Sequence, residues 1–250
     1  MIAPARRLAL AAACLLLTAC GVAESGTPVA VDQTASKTPA KTSKAAPPSK
    51  STRAFTPSES EKDPTAKIDG VVAKEYQAGL HAIAPQRVAY DQLPPFGGAH
   101  DQIWAPCNGE VYATAIRTEH VVHSLEHGAV WVTYDPETVR GDDVKALAKR
   151  VDGKPYLVMS PFPGQKKPVS VQSWGRQLQV DDVDDERIDH FIAATRTNKY
   201  LAPEPGASCD PVDPRLFDPA APPPFDPAPP GPDAMPVTGP AGAPTTPAGG

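Results

Sequence analysis

The 250-residue chain is poor in cysteine (four), in methionine (three) and in aromatic residues (6%). Each scarcity excludes something. The apolar run from Leu8 to Leu17 is too short to span a bilayer as a permanent helix. The central region has no Lys/Arg cluster with interleaved aromatics, and the formal net charge is −5, so nucleic acid is excluded as a partner. No internal repeat is present. No Gly-x-Ser-x-Gly elbow places a serine for nucleophilic attack. Gly97-Gly98 is too short to cradle a phosphate.

What is present at the N-terminus reads as targeting. Arg6 and Arg7 precede the apolar run, and Leu17-Thr18-Ala19-Cys20 follows it, resembling a bacterial lipobox. Residues 1–19 are expected to be a lipoprotein signal peptide, with Cys20 acylated as the mature N-terminus. An ordinary secretory signal is the alternative. Both readings place the chain outside the cytoplasm. The first also anchors it by lipid to the extracytoplasmic face of the cell membrane.

Residues 20–67 are rich in Ser, Thr, Lys and Pro and bury too little apolar surface to offset their ordering entropy, which predicts a disordered linker. Residues 210–250, dominated by Pro, Ala and Gly, are expected to be a disordered, polyproline-like tail. The tail would be a spacer or a ligand for an envelope protein partner. Between the two lies one globular domain, residues 68–209, long enough for a single core. Of its cysteines, Cys107 and Cys209 remain after Cys14 leaves with the signal and Cys20 takes lipid. In an oxidising compartment they are expected to form a disulfide, with metal thiolates as the alternative.

Periodicity within the domain predicts a strand over 110–116 and a short helix over 118–127 stopped by Gly128. A β-branched, aromatic strand over 129–134 follows. An amphipathic helix over 137–151, strands over 156–159 and 169–174, and a helix over 184–196 complete the pattern. The fold class is α+β: a single domain with a mixed or antiparallel sheet and a few helices, flanked by disordered tails.

Half of the six histidines fall within eight residues, in His120-Val-Val-His-Ser-Leu-Glu-His127. On a helix, His123 and His127 share a face and can present two imidazoles to one ion, with Glu126 on an adjoining face as a third ligand or acceptor. His100 ends a Pro/Gly loop of the kind that delivers a ligand from a distance. Three imidazoles with a carboxylate suit zinc, whereas Met159, the domain's only methionine, would favour copper as a soft ligand. Met159 is otherwise core filler. His81 could approach the same site, though nothing local demands it. The order H-x-x-E-H also matches the inverted zincin motif. A zincin helix continues past its second histidine, however, and Gly128 ends this one.

"PPFGGAH", "VYATAIRTEHVVHSLEHGAVWVTYDP", "YLVMSPFPG" and "VSVQSWGR" together resemble the bacterial Domain of Unknown Function 3105 family over about residues 71–196. Members usually read Pro-Pro-x-Ser-Gly-Pro-His where this chain has Phe96-Gly97-Gly98-Ala99 before His100. The resemblance implies one exported, commonly membrane-anchored domain and points at His100, His123, Glu126 and His127. It implies no activity. The residue chemistry itself suggests a copper or zinc site at His100, His123 and His127, completed by Met159 or Glu126. The competing readings are an envelope interaction module whose histidines form a structural network, and a metal-dependent hydrolase.

Overall fold

A computed structural model describes residues 50–239. The lipobox with Cys20, most of the expected linker and the last part of the tail lie outside the described residues. The elements in chain order are α1 (Lys50–Arg53), a 3-10 turn (Pro64–Lys67), β1 (Val72–Ala73), β2 (His81–Ala82), β3 (Val88–Ala89), β4 (His100–Asp101), β5 (Asn108–Val111), α2 (Thr118–Glu126) and β6 (Val130–Tyr134). Then come α3 (Asp142–Val151), β7 (Leu157–Pro161), β8 (Val169–Ser173), β9 (Arg176–Val180), α4 (Glu186–Thr195) and β10 (Met235–Pro236). No helix among the described residues is long and apolar enough to cross a membrane.

The core grows from β6. Its Val-Trp-Val-Thr-Tyr sequence packs well on a pleated surface, and all five residues are buried. β6 is flanked by β7 in parallel and β8 in antiparallel register, within a mixed sheet ordered β1-β9-β8-β6-β7-β5. A parallel neighbour requires a crossover, and α3 supplies it between β6 and β7. β8 and β9 form a hairpin across Trp174-Gly175. Gly175 has φ +70° there, and a Cβ would sit 2.8 Å from the Lys74 carbonyl oxygen, so the turn requires glycine.

Side chains alternate across this sheet. Val130, Val132, Leu157 and Met159 face a layer containing Leu147 and Val151 of α3 and Ile188 and Phe191 of α4. Trp131 and Val158 face the other way, against Val121, Val122 and Leu125 of α2 together with Phe96 and Trp174. Each such fully buried side chain contributes about 1.5–3 kcal/mol. With both faces covered, β6 and the first half of β7 show continuous apolar runs, whereas β8 (Val-Ser-Val-Gln-Ser) and β9 (Arg-Gln-Leu-Gln-Val) alternate. The architecture is α+β in a single domain.

Several expected boundaries move. α3 starts at Asp142 rather than 137, because Gly141 at φ +57° breaks the backbone just before it. β5 ends at Val111, short of 116, and β9 was not expected at all.

The expected disordered segments also need correction where they are described. Before residue 68, the Phe55 ring stacks on His190 at 4.1 Å, and Asp63 accepts a 2.9 Å hydrogen bond from Arg176 Nε. After residue 209, the chain does not leave the domain until at least residue 239. Phe217 is buried, Pro224 bridges to Ile116, Arg87 donates to the Asp226 carboxylate and the Ala228 carbonyl, and β10 pairs with β3. Average composition hides this, since a few scattered apolar residues (Val212, Phe217, Phe225, Met235 and Val237) and some backbone hydrogen bonds hold a segment that is otherwise Pro- and Ala-rich.

Candidate metal centre

α2 positions the histidines. It begins at Thr118 and ends at Glu126, with His127 as its C-cap and Gly128 at φ +93° turning the chain out. Every residue of the helix is buried. Buried imidazoles need partners, and each one on this helix finds a backbone carbonyl. His120 Nδ1 lies 2.7 Å from Ile103 O, His123 Nδ1 lies 2.7 Å from Asp101 O, and His127 Nδ1 lies 2.6 Å from Ser208 O. His100, on β4, repeats the pattern with Nδ1 2.8 Å from Gly98 O. A carbonyl oxygen only accepts, so Nδ1 is the donor in all four rings. In each neutral ring the lone pair is therefore on Nε2. This is the arrangement by which outer partners orient histidine ligands.

β2 and β4 pair in parallel with His81 opposite His100, anchored by a 2.8 Å hydrogen bond from His100 N to Leu80 O. The pairing sets the His81 and His100 rings 4.9 Å apart, and His123 lies 4.8 Å from His100 and 5.5 Å from His81. Glu126 completes the group. Its Oε1 accepts from Gly79 N at 2.7 Å, and its Oε2 lies 2.9 Å from His100 Nε2. That last pair is in ion-pair range yet lacks an aligned hydrogen bond, leaving His100 Nε2 buried without a donor–acceptor partner.

One ligand atom each from His81, His100, His123 and Glu126 lies within 4.8 Å of the other three. An ion bound at 2.0–2.1 Å in a tetrahedron sets its ligands about 3.3 Å apart, so the widest separation must close by up to about 1.5 Å. His81, the exposed member, sits on a two-residue strand and has room to move. The residues present fit a metal ion.

The structure brings His100, His123 and Glu126 of the expected set together with His81 and leaves two others out. Met159 is on the face of the sheet that packs against α3 and α4, whereas α2 lies on the opposite face, so it is core filler rather than a ligand. His127 touches His123, with ring centroids 4.6 Å apart, but its Nε2 turns toward Glu204 Oε2 at 3.8 Å. His81 gives no local signal because a two-residue strand carries no periodicity. Only its register against His100 places it. Cys107 and Cys209 are joined as a disulfide, which removes the thiolate alternative.

Burial drives the electrostatics. It lowers the pKa of His120 against the opposing pull of the Ile103 carbonyl, and lowers His81 and His127 likewise. His123 falls well below its ordinary value, first by burial and then by the nearby His100 and His127. Burial alone would raise the Glu126 carboxyl, but His100 and the Gly79 N–H outweigh it and the pKa falls.

The folded protein thus prefers His81, His120, His123 and His127 neutral. Below the ordinary histidine value of 6.5 the unfolded chain binds more protons than the fold does. For the metal-free protein, stability should be fully present above that pH and decline as the pH falls through it. The slope has a ceiling of about 1.4 kcal/mol per pH unit for each proton taken up. Urea midpoints at pH 7.5 and pH 5.5 check the sign, and a higher midpoint at pH 5.5 would contradict it.

Among known proteins, no curated protein and no solved structure matches the chain. The family described as Protein of unknown function (DUF3105) matches residues 81–211, just over half of the chain and inclusive of all four residues of the cluster. The histidine helix, its partner strands and the disulfide therefore sit inside a recognised unit, and the chain belongs to the Domain of Unknown Function 3105 family.

Proposed function

We propose that the chain is a lipid-anchored lipoprotein on the extracytoplasmic face of the membrane. Its domain binds a copper or zinc ion through His81, His100, His123 and Glu126. One observation carries the reading: carbonyls hold the Nδ1 atoms of His100 and His123 and leave both Nε2 atoms free, and His100 Nε2 meets the Glu126 carboxylate at 2.9 Å between two buried side chains. Nε2 of a neutral His100 and Oε2 of Glu126 are both acceptors, and at 2.9 Å they need a proton or a cation between them. Imidazole with carboxylate suits zinc, and imidazole also suits copper. Four protein donors fill a tetrahedral ion and leave no position for the water that metal-assisted hydrolysis needs. Binding, storage or hand-over of the ion follows better from this set than hydrolysis does.

The test is metal content of the full chain, purified without a histidine tag, before and after loading with Cu2+ or Zn2+. One equivalent is expected. His123→Ala should weaken binding by more than about 100-fold, beyond the 10–100-fold typical of removing an outer partner. Met159→Leu and His127→Ala should retain the equivalent at saturation. A wild-type protein that cannot be loaded, or a His123→Ala variant that loads normally, ends the proposal.

A further inference from the structure

The loop after α4 returns to the C-terminal end of α2. Glu204 N donates to Glu126 O and Gly206 N donates to His127 O, each at 3.0 Å. These bonds satisfy carbonyls that the helix end would otherwise leave orphaned. They also place the Glu204 carboxylate, 58% exposed, opposite the 4%-exposed side chain of His127 with Oε2 and Nε2 3.8 Å apart.

On its inner side the His127 ring meets His123 nearly edge-on, at 79°. Trp104 walls both rings, 5.1 Å from His127 and 5.7 Å from His123, and is itself held by a 2.9 Å hydrogen bond from Nε1 to Asp210 O. His127 thus has one neighbour in the metal cluster and one facing solvent. Its Nε2 lone pair points toward the outer one, because Nδ1 donates to Ser208 O. A bound ion makes bonds of about 2.0–2.2 Å to nitrogen and oxygen, so one ion bridges a 3.8 Å gap with a bent angle.

We propose that His127 and Glu204 form a second, outer cation station. It captures the ion from solvent and passes it to the cluster of His81, His100, His123 and Glu126. This rests on the inner cluster being a metal site. Two donors, one of them exposed, hold an ion weakly, while four donors, three of them buried, hold it more tightly, so the gradient runs inward. The carboxylate supplies long-range attraction for the cation, and the imidazole supplies the contact adjoining His123. The outer pair determines how fast the ion arrives, and the inner group determines how much is held.

The experiment mixes the metal-free full chain with Cu2+ in a stopped-flow instrument. It follows tryptophan fluorescence, to which Trp104 beside His127 contributes, and measures the copper held at equilibrium separately. Glu204→Gln should slow loading about tenfold at low salt, the lower end of what electrostatic focusing gives. It should also flatten the dependence of the rate on ionic strength, and still hold one equivalent. His127→Gln should likewise load slowly and fully. Wild-type rates in both variants overturn the outer station while leaving the inner site intact. Loss of the equivalent in Glu204→Gln overturns it too, since Glu204 would then belong to the inner set. A wild-type chain that holds no copper overturns both proposals together.

Discussion

Phe217→Ala is expected to destabilise the protein by about 3–5 kcal/mol, the usual cost of emptying a buried aromatic position. The residue lies in a segment whose composition reads as a spacer, yet only 1% of it is exposed. Its ring meets Tyr112 edge-on at 6.0 Å and His120 at 5.2 Å, within the core layer that backs α2. The cavity would open beside the helix that carries the candidate ligands. Leu216, the preceding residue, is 53% exposed, and Leu216→Ala should cost less than about 0.5 kcal/mol, as surface changes do. Chemical denaturation of the two variants separates these outcomes. Equal midpoints would mean that the chain beyond Cys209 contributes nothing to the fold.

Removing the disulfide should cost about 2–5 kcal/mol. Cys107 and Cys209 are 102 residues apart in sequence and 4.8 Å apart at Cα, and Cys107 N also donates to Cys209 O at 3.0 Å. A closure over that length removes much freedom from the unfolded chain. The double variant Cys107→Ser, Cys209→Ser should therefore unfold at lower denaturant than the oxidised wild type. Wild type treated with reductant should match the variant. If reduction leaves the midpoint unchanged, the cross-link is dispensable and the noncovalent contacts around it are sufficient.

What was legible in the sequence was whatever depended on neighbours along the chain. α2 and β6 stood out because helical spacing, the stop at Gly128 and the β-branched run are all local signals. The disulfide follows from counting cysteines together with the expectation of an oxidising compartment. His100, His123 and Glu126, which the fold gathers into one cluster, are singled out in the sequence by residue chemistry. His81 is legible only as a histidine able to approach the site, because its place depends on a two-residue pairing with β4, and Met159 misleads because strand parity, not proximity in sequence, decides which face a side chain takes. His127 misled for a related reason: helical spacing gives it the face of His123, while the Ser208 carbonyl decides where its free nitrogen points. The tail is illegible because a few widely spaced apolar residues with scattered backbone hydrogen bonds leave no mark on average composition.

The disulfide encloses all of α2, β6, α3, β7, β8, β9 and α4, but not β2 or β4. His81 and His100 therefore lie on a length of chain outside the covalent loop, joined to the histidine helix by the backbone alone. An ion shared among His81, His100, His123 and Glu126 would be a second cross-link, reversible and set by metal concentration, fastening the part that the sulfur bridge leaves loose. At a free metal concentration 100 times its dissociation constant, that clasp would stabilise the fold by about 2.7 kcal/mol. The same strands would be the first to let go when the ion is withdrawn.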